Sequence, residues 1–182
     1  MRTLLADWTY SARRQIIAFG SGNRGEVLEQ QIVVWLAIAP YGTKVLLEDD
    51  HPTFPAVIDT GYGGRLLLNH RHLSDWTGIS PPHLVPHGQP ETLWGNVVCP
   101  RFQFSAWLRC ADPVTDRAEA YRAAFRIKLT KGATLILPSA PGEYTKQPRL
   151  PLIGMKMLEE NRLRLTIDAA SHRVQVDTTR NW

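Results

Sequence analysis

Asp59 stands at the end of an apolar run, Phe54-Pro55-Ala56-Val57-Ile58, and opens directly into Thr60-Gly61-Tyr62-Gly63-Gly64. A carboxylate delivered by a buried strand is costly to desolvate, so it is kept where it has partners or a task such as general acid or base work. Thr60 can hydrogen-bond locally, and Gly61 lets backbone approach the carboxylate closely. The same three letters also end many strands in an Asx-type turn with no chemistry attached. Other constellations compete. Gly20-Ser21-Gly22-Asn23-Arg24-Gly25 has the G-x-G-x-x-G spelling, in which glycines admit a pyrophosphate to a helix N-terminus. Gln15–Phe19 reads as the preceding strand, but Ile32-Val33-Val34-Trp35 favours strand over helix and no run of βα units follows. His70, His72, His83 and His87 invite a zinc reading, yet no Cys or carboxylate completes a recognised spacing, so surface histidines and no metal are expected. Asp49-Asp50 reads as a charged turn. Cys99 and Cys110 do not make a disulfide framework, and two reduced thiols are expected.

The elements that must position these residues are short. A chain of 182 residues suits one domain, and 43% apolar with 21% charged content marks it as globular rather than disordered. The net charge of +4 is scattered over the chain and forms no stripe, so no nucleic-acid partner is expected. Residues 1–15 carry Arg2, Asp7, Arg13 and Arg14 and no unbroken apolar core, and Ile32–Pro40 is too short to span a bilayer. A cytoplasmic protein without a membrane partner is the expectation. Strands are predicted over 31–38, 44–48, Thr53–Ile58, 125–129, 133–137, 162–168 and 173–176, with a hairpin turn at Gly95-Asn96. Asn69 is a good N-cap for a short helix over His70–Thr77 that Gly78 would end, and a second short helix is predicted near Met155–Glu160. Residues 112–124 read as an inserted loop or short helix. Many short strands with few helices predict a mostly β, antiparallel barrel with one or two short helices.

Far along the chain from Asp59 lies Leu152-Ile153-Gly154-Met155-Lys156-Met157-Leu158, followed by Leu163-Arg164-Leu165-Thr166-Ile167-Asp168. Together with Val57-Ile58-Asp59-Thr60-Gly61, this order resembles the retropepsin-like aspartic proteases. Their chains run from a hydrophobic–Asp-Thr-Gly turn through a flap hairpin to a second hydrophobic–Gly turn, a short helix and a final strand pair. The likeness is closer to small bacterial members, in which an aromatic residue, a glycine and alternating leucines follow Asp-Thr-Gly, here Tyr62, Gly64, Leu66 and Leu68. It covers about residues 31–177; residues 1–30 are set apart as an N-terminal extension and 178–182 as a C-terminal tail. Retroviral members pair an acidic residue, two positions past the first glycine, with an arginine just after the second. Here Gly63 and Met155 stand at those positions.

The resemblance implies a closed barrel of the retropepsin type and an aspartic endopeptidase with Asp59 as its catalytic residue. Two carboxylates about 3 Å apart share one proton. The ionised one takes a proton from the attacking water while the other polarises the scissile carbonyl. This chain has one Asp-Thr-Gly, since Asp177-Thr178-Thr179 lacks the glycine, so a homodimer with one Asp59 per subunit is implied. Thr60, Gly61 and Gly154 would support the active-site turn, and Trp94, Gly95 and Asn96 would form the flap over a peptide or protein substrate, with no cofactor. Two alternatives stand beside it: a non-catalytic retropepsin-like binding or assembly module, and a nucleotide-binding protein using Gly20 to Gly25.

Overall fold

The computed structural model describes residues 2–10, 12–20, 22–44, 52–80, 83–109, 125–137 and 150–179. Within these, strands β1 to β15 are, in chain order, Arg2–Thr9, Gln15–Phe19, Asn23–Val27, Ile32–Pro40, Thr53–Ile58, Leu66–Asn69, Val85–Pro86, Glu91–Thr92, Val98–Cys99, Arg101–Arg109, Phe125–Ile127, Ala133–Ile136, Leu152–Ile153, Leu163–Asp168 and Arg173–Thr178. Helix α1 is His70–Thr77 and helix α2 is Met155–Glu160. The strand expected over 44–48 lies, beyond Lys44, outside the described residues, as do Asp49-Asp50, Cys110 and the 111–124 insertion.

The long strand β4 (Ile-Val-Val-Trp-Leu-Ala-Ile-Ala-Pro) is buried along nearly its whole length, so both of its faces meet protein. On one edge it pairs antiparallel with β5, from Ile32 opposite Ile58 to Ala37 opposite Thr53. On the other it pairs antiparallel with β10, from Pro40 opposite Phe104 to Trp35 opposite Arg109. The path continues β10-β12-β6-β13-β5 and returns to β4, closing a barrel of six strands among the described residues. The mostly β barrel with two short helices expected from the sequence is therefore the architecture found. Four of the six closing contacts are antiparallel, and two, β12 with β6 and β13 with β5, are parallel. Leu66, Leu67, Leu68, Phe54, Leu135 and Ile153 are fully buried in this barrel. Each stabilises the fold by about 1.5–3 kcal/mol relative to exposure.

The described part of residues 1–30, set apart on sequence, packs on the same core. β1 pairs antiparallel with β15, making a three-stranded sheet in the order β1-β15-β14, and Leu4, Phe19 and Val27 belong to the main apolar cluster. Of the G-x-G-x-x-G segment, Gly20 at φ 54° and Gly22 at φ 88° lie in the turn of the β2–β3 hairpin, and Asn23 to Gly25 are already part of β3. The segment runs into a strand, so no helix N-terminus is available there to hold a pyrophosphate. Gly25 serves packing: a Cβ there would lie 2.6 Å from Leu150 Cδ2.

Helix α1 begins and ends where its signals stand. Asn69 Oδ1 accepts the His72 amide at 3.0 Å, His72 Nδ1 accepts the Asn69 amide at 3.1 Å, and Gly78 closes the helix at φ 68°. His72 is thus a buried capping residue rather than a surface one. His87 is also engaged, accepting from Gln103 Nε2 at 2.9 Å and donating to Thr130 O at 3.0 Å. Among the described residues no group of His, Cys, Asp and Glu is arranged to hold a metal ion, and no helix is long and apolar enough to cross a membrane.

Candidate functional site

Strands β5 and β6 flank the Asp59 turn, yet they do not pair with each other. The two-residue strand β13 lies between them, parallel to β5 (Leu152 opposite Val57, Ile153 opposite Ile58) and antiparallel to β6 (Leu152 opposite Leu67, Ile153 opposite Leu66). The chain from Asp59 to Arg65 must therefore cross the end of β13. It does so in close contact with Gly154, the residue that follows β13. Asp59 N donates to Ile153 O at 2.9 Å, and Gly154 N donates to Arg65 O at 2.7 Å. The first amides of α2, which have no partner within the helix, donate to the turn: Met155 N to Tyr62 O at 2.9 Å and Lys156 N to Gly64 O at 3.1 Å. A Cβ on Gly154 would lie 2.5 Å from Tyr62 O and nearer still to Gly64 O, so only glycine fits.

Asp59 is half-buried, while Thr60 and Gly61 are exposed. The Gly61 amide donates to Asp59 Oδ1 at 2.9 Å. A Cβ on Gly61 would come within 3.2 Å of that same oxygen, so glycine eases the approach. Among the described residues no ion pair involves Asp59, and the Thr60 hydroxyl has no hydrogen-bond partner, unlike the local bond its type allows. The result is a carboxylate held by its own turn and otherwise open on its outer side.

Tyr62 ties this turn to its surroundings. Its ring folds back over Gly64, where a Cβ would strike it, and past Gly154, where a Cβ would come within 2.6 Å of Cδ1. Its hydroxyl donates to Glu91 Oε2 at 3.3 Å. Glu91 also accepts a short hydrogen bond from the Thr134 hydroxyl and faces Arg101 Nη2 at 3.6 Å. Burial, with the Glu91 charge adding, pushes the Tyr62 phenol well above its ordinary value and keeps it a hydrogen donor. Burial likewise pushes up the thiol of Cys99, with Glu91 again adding. A free Cys99 raised in this way stays protonated and is a poor nucleophile.

Trp94, Gly95 and Asn96 form the loop of the β8–β9 hairpin, in which Glu91 pairs with Cys99 and Thr92 with Val98. The turn differs from the expected two-residue Gly95-Asn96 type. Leu93 N donates to Val97 O at 2.8 Å, closing a three-residue loop that includes Trp94. Gly95 and Asn96 both take left-handed backbone, at φ 67° and 61°. Gly95, Asn96, Val97 and Val98 are exposed, while the base of the hairpin packs inward through Cys99 and Leu93 against Tyr62, Leu67 and Ile136.

The sequence left two features unread. One is the Tyr62–Glu91 contact, which no local pattern announces. The other is a salt bridge between Arg65, on the first glycine turn, and Glu160, at the end of α2. Gly63 and Met155 stand where an acid–arginine pair was missing, yet the same two segments are bridged with the charges exchanged. An open cavity of about 420 Å³ lies apart from the turn, lined by Tyr10, Gln30, Ile32, Ile167, Ala169 and His172. Asp177, the other Asp-Thr of the chain, is a structural residue. It is buried, accepts from Thr3 Oγ1 at 2.9 Å and is bonded by Gln175 Nε2. In comparisons with known proteins the chain significantly matches no family model, no curated protein and no solved structure.

Proposed function

We propose that this chain is a retropepsin-like aspartic endopeptidase of the small bacterial kind, acting as a homodimer in which each subunit contributes one Asp59. One observation carries the reading. Asp59 leaves β5 where β13 is inserted between β5 and β6, with Gly154 seated under the same turn. That frame holds a short acidic turn rigidly while leaving the carboxylate open on its outer side. The half-buried Asp59 and the exposed Thr60 and Gly61 suit a surface that meets a second copy of itself about a two-fold axis.

In such a dimer the two carboxylates hold one proton between them. The ionised Asp59 takes a proton from a water, and the oxygen of that water attacks the carbonyl carbon of the peptide. The protonated Asp59 hydrogen-bonds the carbonyl oxygen as charge develops there. Collapse of the tetrahedral species breaks the C–N bond, and the departing nitrogen takes a proton from the Asp59 pair, which returns to holding one proton between its two carboxylates. The β8–β9 hairpin, with Trp94, Gly95 and Asn96 at its end, is the part of the chain suited to cover a bound peptide and exclude water. A cytoplasmic setting goes with this reading.

Digestion of a peptide library at several pH values, with and without pepstatin, tests it. Cleavage that pepstatin abolishes is the expected result. A pure, folded protein that cleaves nothing across acid and neutral pH would move the assignment to a non-catalytic binding or assembly module.

A further inference from the structure

We propose that Glu91 is a positioning residue, which holds the Asp59 turn and the base of the β8–β9 hairpin as one unit through the Tyr62 hydroxyl. The kinetic part of this inference rests on the protease reading; the mechanical part does not.

The argument begins at the Tyr62 backbone. Its amide donates to Asp59 O at 3.2 Å and its carbonyl accepts from Met155 N at 2.9 Å, so the backbone of Tyr62 is part of the Asp59 turn. The ring lies over Gly64 and beside Gly154, in space that side chains at those positions would fill. The hydroxyl reaches Glu91 Oε2 at 3.3 Å. Glu91 sits in β8, opposite Cys99, and is fixed in turn by Thr134 on β12 and Arg101 on β10. Around this polar contact lies an apolar cluster of Tyr62, Leu67, Cys99 and Ile136, with Leu93 and Leu152 packed on it.

At 3.3 Å this hydrogen bond is a long one, but its acceptor is charged and sits at the edge of an apolar cluster, where water competes less for it. A hairpin that shifts at its base must therefore drag the Tyr62 ring or break that bond. Either event reaches Asp59 through the Tyr62 amide. The hairpin that would contact substrate and the turn that would act on it thus move together. Glu91 acts through Tyr62 and needs no contact with the reacting atoms.

The test uses the full chain as Tyr62→Phe, Glu91→Gln and Glu91→Ala. Tyr62→Phe keeps the ring in its packed site and removes only the hydroxyl, so it reports even if Glu91→Ala fails to fold. Amide hydrogen exchange is followed at Gly61, Tyr62 and Leu93, beside thermal stability and oligomer mass. On a peptide that wild type cleaves, kcat and KM are measured separately. Tyr62→Phe and Glu91→Ala are expected to speed exchange at Gly61, Tyr62 and Leu93 together by about tenfold. They are also expected to lower kcat by about tenfold with KM within about twofold. Glu91→Gln keeps an acceptor oxygen and should recover most of both losses. Exchange at Gly61 and Tyr62 that stays at the wild-type rate in Tyr62→Phe would overturn the inference. So would a fall in activity that only tracks lost folded protein, or a Glu91→Gln as impaired as Glu91→Ala. If wild type cleaves no peptide, the protease reading falls, and the exchange comparison alone still decides whether Glu91 holds the turn.

Discussion

Gly154 shows how little freedom the residues around Asp59 have. Its Cα lies against the carbonyls of Tyr62 and Gly64, and those carbonyls are already bonded to the first amides of α2. A methyl group placed there meets backbone on two sides, and backbone fixed by hydrogen bonds cannot yield cheaply. Gly154→Ala is expected to cost about 2–3 kcal/mol, seen as a fall in Tm of about 5–10 °C. A Tm within a degree or two of wild type would mean that the turn rests less tightly on α2 than these contacts require. That Asp59 stands at the end of a buried strand and opens a turn was legible from its place between an apolar run and glycines. The role of Tyr62 was not, because its partners Gly154 and Glu91 are remote in sequence and come together only when β13 is inserted.

At the scale of elements, α2 is fastened to the first glycine turn by the Arg65–Glu160 pair as well as by its leading amides. Burial alone would raise the Glu160 carboxyl, but its bonds to Arg65 and Thr130, with the guanidinium charge, outweigh burial and hold it below its ordinary range. A carboxyl depressed by folding stabilises the fold at pH above its unfolded value, and that contribution is lost as pH falls through the folded value. Wild type should therefore lose Tm on acidification through this window, and Glu160→Gln should lose less. Near neutral pH the same variant is expected to be destabilised by on the order of 1 kcal/mol. Parallel Tm–pH curves for the two proteins would contradict a role for this pair. Helix α1 could be read because Asn69 and Gly78 are local signals, and the buried runs of β4 and β5 because their apolar residues are contiguous. Strand β1 could not: its pairing with β15 slips between Thr3 and Leu5 and again between Leu5 and Trp8, which breaks the period of two. Gly20 to Gly25 admitted two readings, since a hairpin turn and a phosphate loop ask for the same residue types.

At the scale of the whole molecule, the described residues form a closed barrel beside a separate β1-β15-β14 sheet, with the half-buried Asp59 at the head of a glycine turn. The parallel pairings of β13 with β5 and β12 with β6 join segments remote in sequence, so no local pattern could announce them. They are what leave β5 and β6 apart, with the Asp59 turn spanning the gap. If the protein works as proposed, one chain holds half of the reacting pair, and activity belongs to the dimer. Specific activity should then fall on dilution below the dimer dissociation constant. Asp59→Asn keeps size and part of the hydrogen bonding but cannot take a proton from water. It also removes one source of like-charge repulsion between subunits, so its dimer should be no weaker than wild type's. The most direct measurement is peptide-cleavage rate against protein concentration, for wild type and Asp59→Asn, with mass determined by ultracentrifugation on the same samples. The account predicts a wild-type rate per chain that rises with the dimer fraction, and no cleavage by a folded, dimeric Asp59→Asn. Cleavage by that variant, or by a wild-type protein that stays monomeric throughout, would contradict it.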